Sequence, residues 1–270
     1  MGGIKMSDGK ILFDPMKHAE WIPPHSREWY EQLFKETGEY RYPWKSQFEE
    51  PRAEIIFGHK IAANLNYGRL LDVGCGHGEF ALQFALDARE IVGIDVVEGF
   101  IEKGNQHKSL GNINFMVTDG DGHLPFPNDY FDVAYTKKGP RDWYHEANRI
   151  VKPGGMILGL YHAGSHGGLR DRFPGLYSPM PQPEANDILS DLNLHGSGLT
   201  DIHVELFEEI EYLATPEDVL IKKCFGQNHK LKEIVWQECL QDVEVIFNKH
   251  ATKQGLKVFN YYHLLTARAS

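Results

Sequence analysis

The chain is short of cysteine, of long apolar runs and of excess positive charge. Its three cysteines, Cys75, Cys224 and Cys239, are odd in number and irregularly spaced among 270 residues. Neither a disulfide framework nor a cysteine-based metal site can be read from them, and a reducing, cytoplasmic compartment is the expectation. No uninterrupted apolar stretch approaches the ~20 residues that cross a bilayer. The opening Met1-Gly2-Gly3-Ile4-Lys5-Met6 lacks the apolar core of a secretory leader, and Met6 stands where a myristoylation signal needs Ser or Thr. Lys and Arg number 28 against 38 Asp and Glu, a formal net charge of −10. That balance gives no general attraction to nucleic acid or to an anionic membrane, so neither is an expected partner. Internal repeats and low-complexity segments are missing as well.

What is present sorts into three parts. Residues 1–50 are dense in aromatics, including Trp21, Trp29, Tyr30, Phe34, Tyr40, Tyr42, Trp44 and Phe48. Ser26 can cap a helix over Arg27–Glu36, which Gly38 would end. A second helix is expected over Arg52–Asn64. Then strand and helix patterns alternate: strands at Arg69–Val73, Glu90–Asp95, Ile113–Thr118, Phe131–Thr136 and Met156–Tyr161, with helical segments between most of them. Short apolar runs joined in this way predict a parallel sheet. The tail reads differently. A proline-rich loop spans 174–183, a short helix is expected at Asp187–Leu194, and Asp201–Tyr212 alternates like a strand. Thr215-Pro216 starts a helix, a long helix covers Lys230–His250, and Lys257–Ala267 closes as a strand.

The most informative segment is Leu70-Leu71-Asp72-Val73-Gly74-Cys75-Gly76-His77-Gly78-Glu79-Phe80. A buried strand ends in an acid and turns through three alternating glycines toward a helix. Glycine is required where backbone approaches a ligand or turns through positive φ. The dinucleotide fingerprint G-x-G-x-x-G is only half met, because its third position falls on Glu79. Asp72 at the strand end suits a cationic group and repels a pyrophosphate. Asp95 ends the next strand, where two carboxylate oxygens can take the two hydroxyls of a ribose.

Downstream come Val117-Thr118-Asp119-Gly120-Asp121-Gly122-His123-Leu124-Pro125-Phe126, then Phe131-Asp132-Val133, then Arg149-Ile150-Val151-Lys152-Pro153-Gly154-Gly155. Acid-x-G-x-G-x-G followed by these motifs in this order resembles the class I S-adenosylmethionine-dependent methyltransferases. The resemblance covers roughly residues 65–162. It implies an α/β, doubly wound, seven-stranded, mostly parallel sheet of Rossmann-like type, with residues 1–50 as an N-terminal helical cap. Residues 51–270 would be the methyltransferase domain, with an insert at 163–200 and a strand–helix–strand ending at 201–268 that adds a reversed edge pair.

The cofactor implied is S-adenosyl-L-methionine, whose amino acid ammonium and lack of phosphate agree with Asp72. Asp72, Gly74, Gly76, Gly78, Asp95 and Val96 would bind it. By the same similarity Asp119 would hold the adenine amino group, with the Gly120 backbone beside it. Asp121 is the alternative, because the family spacing to the Leu-Pro-Phe motif falls between the two acids. Lys137 and Arg141, past the fourth of these strands, lie at the carboxyl edge of the sheet, where ligands bind; either can meet a carboxylate of cofactor or acceptor. His162, after the fifth, is a candidate pocket residue or base. With His166 it makes an H-x-x-x-H spacing, but Gly164, Gly167 and Gly168 argue against a helix there, and no metal is expected. The N-terminal aromatics either pack a cap onto the sheet or wall an acceptor pocket; Tyr30, Trp44 and Lys45 are the candidates for the second role.

The expected reaction is in-line methyl transfer to a small-molecule acceptor, driven mainly by positioning. An RNA base methyltransferase is the alternative within the class. A nicotinamide-dependent oxidoreductase and a non-catalytic cofactor-binding protein are the alternatives outside it. The acceptor and the oligomeric state are not legible.

Overall fold

The computed structural model describes residues 10–108, 110–118, 122–164, 168–185, 188–189, 194 and 196–270. Its centre is one mixed sheet of eight strands in the order β1-β7-β8-β6-β5-β2-β3-β4. The strands are β1 (Ser46–Phe48), β2 (Arg69–Val73), β3 (Glu90–Asp95), β4 (Ile113–Val117), β5 (Phe131–Lys137), β6 (Val151–Gly164), β7 (Thr200–Leu213) and β8 (Leu256–Arg268). Strands β4, β3, β2, β5 and β6 pair in parallel. Strand β8 runs antiparallel to both β6 and β7, the reversed pair expected from the tail.

Alternation along the parallel strands divides the core. Leu70, Ile91, Val133 and Leu158 pack on one face with Phe57, Ile61 and Leu65. Their neighbours Leu71, Val92, Ala134 and Ile157 pack on the other with Tyr144, Ala147 and Ile150. Burial on both faces is what near-continuous apolar strands require. The helices on these faces are α2 (Ala53–Leu65), the short α3 (Glu79–Leu82), α4 (Glu98–His107) and α5 (Tyr144–Ile150). A third core joins the far half of the sheet to α7 (Pro216–Lys223) and α8 (His229–His250) through Leu213, Val219, Leu231, Val235 and Val258. The short helix α6 (Leu169–Arg172) packs there through Leu169.

Local chemistry sets the helix ends. Helix α1 (Arg27–Thr37) starts where the Ser26 side chain accepts from the Trp29 N–H, and stops at Gly38 in the left-handed region. Helix α7 begins with a reciprocal Thr215–Asp218 capping box and Pro216 in its first turn.

The sheet corrects the sequence expectation in one respect: among the described residues it has eight strands, not seven. Ser46–Phe48, inside the N-terminal segment expected to be a helical cap, pairs antiparallel with Glu211–Leu213 at the β7 edge. Two smaller differences are also present. The helix expected from Phe80 is a single turn. Strand β6 begins at Val151, because Val151 already pairs with Phe131 before the chain bulges and resumes at Met156. The helix expected at Asp187–Leu194 falls largely outside the described residues, although Ile188 and Leu189 are helical.

Candidate active site

The carboxyl ends of β2, β3 and β5 and the start of the turn after β5 open into a cavity of about 1050 Å³. Its floor at one end is the glycine loop between β2 and α3. Gly74, Gly76 and Gly78 all have positive φ, at 78°, 56° and 79°. Space differs among them. A Cβ on Gly74 would lie 2.6 Å from Pro140 Cδ, and one on Gly78 would enter the Phe115 ring. At Gly76 the nearest atom to such a Cβ is Tyr40 Cβ at 3.9 Å. Two glycines thus allow close packing of the loop, while Gly76 leaves room over the loop for a ligand.

Asp95 organises the same loop. One carboxylate oxygen accepts from the Gly76 N–H at 2.8 Å and the other from the Val97 N–H at 2.9 Å. Burial raises its pKa and these backbone donors oppose the rise. Each oxygen keeps a further lone pair for a ribose hydroxyl. Asp72 is only 2% exposed, and Oδ2 accepts from the Tyr135 hydroxyl at 2.7 Å. Loss of hydration pushes its pKa up to about 7, against the lowering effect of Tyr135 and Lys137. This end of the cavity therefore carries negative charge from Asp95 and can gain more from Asp72 when a cation approaches.

Tyr30 and Tyr40 from the N-terminal segment, Phe80, and Tyr161 supply aromatic walls. Lys137 and Lys138 both donate to Glu54, at 3.3 and 2.7 Å. Their charges hold the Glu54 carboxyl down to about 2 despite its burial. The Arg141 guanidinium lies 5.3 Å from the centre of the Tyr161 ring. His162 is solvent-exposed and lines the cavity. Nδ1 accepts from the Gly164 N–H at 3.1 Å, which places the proton of the neutral ring on Nε2. Desolvation, reinforced by Lys138, Lys222, His25 and Arg170, lowers its pKa to about 3.

The structure brings Asp72, Gly74, Gly76, Asp95, Val96, Lys137, Arg141, His162 and Tyr30 to this one cavity. Gly78 sits behind the loop. His162 lines the cavity, and its neutral ring presents the Nε2–H there. One expectation changes. Trp44 and Lys45 do not line the cavity. Trp44 stacks on Tyr42 at 4.5 Å and donates to Glu211 at 2.7 Å, while the Lys45 backbone N–H donates to Asp218 at 2.8 Å. Asp119, Gly120, Asp121 and His166 lie outside the described residues.

Sequence reasoning missed Tyr40, Glu54, Lys138 and the His77 side chain. His77 Nδ1 accepts from the Tyr40 N–H at 3.4 Å, which ties the N-terminal segment to the glycine loop. Adjacency to Lys137 was a signal for Lys138. Nothing local marks Glu54.

Among known proteins, a family model described as a methyltransferase domain matches residues 70–155. The phthiotriol/phenolphthiotriol dimycocerosates methyltransferase of Mycobacterium leprae is 30% identical over 125 residues, 43% of this chain and 46% of that protein. The ubiquinone/menaquinone biosynthesis C-methyltransferase UbiE of Proteus mirabilis is 30% identical over 105 residues, 34% of this chain and 41% of that protein. The chain thus spans less than half the length of these relatives. A solved structure of a functionally unknown protein from Deinococcus radiodurans R1 shares the fold, with TM-score 0.62 and 20% identity over 90% of this chain and 100% of that one. Residues 70–155 belong to the class I S-adenosylmethionine-dependent methyltransferases.

Proposed function

We propose that this methyltransferase domain binds S-adenosylmethionine at the acidic end of the cavity and transfers its methyl group to a small-molecule acceptor at the other end. The observation that carries the reading is the arrangement of Asp72, the glycine loop and Asp95 around one floor. Gly76 leaves the space a ligand backbone would fill, Asp95 offers two oxygens to a ribose, and Asp72 offers a carboxylate to an ammonium. Val96 follows Asp95 on the same wall.

When bound, S-adenosylmethionine supplies a methyl carbon activated by its sulfonium. The chain's residues then have three tasks. Asp72, Asp95 and the loop fix the donor. Tyr30, Tyr40, Phe80 and Tyr161 exclude water and hold the acceptor in line. His162 donates an Nε2–H to orient it. Positioning of this kind supplies much of the acceleration in a displacement that needs no enzyme nucleophile. A cavity near 1050 Å³ accommodates a cofactor with a modest acceptor, and the relatives are named for phthiotriol dimycocerosates and ubiquinone/menaquinone, which are not polymers. Residues 10–50 act in this reading as the acceptor-side cap of the methyltransferase domain.

The test is methyl transfer from labelled cofactor to a panel of small phenols, carboxylates, amines and active-methylene compounds, with unstructured RNA as the comparison. Turnover on a small molecule but not on RNA is expected. Turnover confined to RNA refutes the acceptor assignment, and NAD binding in place of the sulfur nucleoside refutes the reaction.

A further inference from the structure

The end of the cavity assigned to the acceptor contains a feature that methyl transfer alone does not use. Lys138 follows β5 directly, with φ of 60°. A lysine held in the left-handed region costs energy, and such outliers gather at functional sites. The surroundings define the position closely. The Lys138 N–H donates to Leu160 O at 2.7 Å. Its ammonium donates to Glu54 at 2.7 Å and to the Tyr42 hydroxyl at 3.2 Å, and lies 5.0 Å from the Tyr262 ring centre. These contacts come from α2, the N-terminal segment and β8, so Lys138 is fixed from three sides. Only 10% of its side chain is exposed. An ammonium has three N–H donors; the two described bonds use two of them, and Lys138 lines the cavity.

Lys137 and Lys138 share the Glu54 carboxylate. The buried Glu209 carboxyl also feels the Lys138 charge, and Asp72 that of Lys137. The same cavity is lined by Asp72, Asp95 and Glu79 and by the aromatic Tyr30, Tyr40, Phe80 and Tyr161. Its lysines attract an anion while its carboxylates attract the cationic donor. The His162 Nε2–H adds a second donor.

We propose that Lys138, backed by Lys137, selects the methyl acceptor by an anionic group, a carboxylate or a phosphate, carried on an aromatic or apolar body. The inference rests on the reading of this cavity as a methyl-transfer site. Glu54 acts in it as a brake, cancelling one of the two ammonium charges so that the acceptor's anion contributes the second.

The test is calorimetric binding to the full chain saturated with S-adenosylhomocysteine. The probes are benzoate and phenyl phosphate, with benzamide and benzylamine as neutral and cationic counterparts. The anions should bind in preference to benzamide, and the better of the two identifies the group. Lys138→Met should lower that preference by about tenfold to a hundredfold, the value of one charge-assisted hydrogen bond, while S-adenosylhomocysteine still binds. Glu54→Gln should move the preference the opposite way, which general damage to the fold would not do. Equal binding of benzoate and benzamide, a preference for benzylamine, or no binding of either anion overturns the proposal and leaves the cofactor assignment standing. Loss of S-adenosylhomocysteine binding in Lys138→Met also overturns it, since the lysine would then serve the cofactor. Failure of the unaltered chain to bind S-adenosylhomocysteine overturns the methyl-transfer reading itself.

Discussion

Asp72 makes cofactor affinity depend on pH in a calculable way. Its carboxyl is buried and has a pKa near 7, raised from the usual 3.8 chiefly by lost hydration. An incoming ammonium favours the ionised form, so binding must displace the proton whenever Asp72 holds it. Above the midpoint there is little proton to displace. One pH unit below it, roughly nine carboxyls in ten are protonated, and each further unit costs about 1.4 kcal/mol, or about tenfold in affinity. Calorimetric titration of S-adenosylhomocysteine from about pH 5.5 to about 8.5 reads this directly, and repeating it in buffers of different ionisation enthalpy counts the released protons. Affinity should rise with pH through the neutral region and then level off, with proton release approaching one per site on the acid side. Tyr135→Phe removes the hydroxyl that donates to Asp72 at 2.7 Å, so the carboxyl pKa and the midpoint of the profile should move to higher pH. A flat profile without proton release, or a midpoint that falls in Tyr135→Phe, would refute the reasoning.

Other outcomes follow from the same geometry. Asp72→Asn should resist thermal unfolding better than the native chain at pH 8 and lose that advantage near pH 4. The raised folded-state pKa contributes stability that is complete below the usual value of 3.8 and is lost as pH rises through about 7; melting curves at the two pH values check it. Asp95→Ala leaves the Gly76 and Val97 N–H groups without their carboxylate and should weaken S-adenosylhomocysteine binding by about 2–3 kcal/mol, read by calorimetry. Gly78→Ala should fail to fold stably because its methyl would enter the Phe115 ring. Gly76→Ala, with open space above the loop, should retain a folded chain but lose cofactor affinity; circular dichroism and binding separate the two. Once an acceptor is known, kcat/KM should show no ionisation of His162 near neutral pH, because its pKa is about 3, and His162→Gln should retain the same pH profile.

How much of this was legible in the sequence depended on how local each feature is. The glycine loop, Asp72 and Asp95 are written within consecutive residues at strand ends, and their placement together follows from β2 and β3 lying side by side. Helix α1 was legible because Ser26 and Gly38 mark both ends. Strand β1 was not. Three residues carry too little alternation, and their partners, Glu211–Leu213, lie in a distant part of the chain. The same limit hid Glu54. It is an ordinary first-turn acid of α2, and only packing of that helix against the sheet puts it between two lysines. Trp44 misled for a related reason. An aromatic near a cap can face either a cavity or the body of the protein, and here the buried Glu211 carboxylate draws its indole N–H inward. His162 was placed correctly at the sheet edge, but its protonation was set by the Gly164 backbone and by cations from several elements.

The most direct test is equilibrium binding at about pH 8, with S-adenosylhomocysteine, NAD and ATP each titrated into the intact chain and then set in competition. The account predicts one S-adenosylhomocysteine per chain, undisturbed by either phosphate-bearing nucleotide and weakened by Asp95→Ala. Saturable NAD or ATP binding that the sulfur nucleoside cannot displace would contradict it.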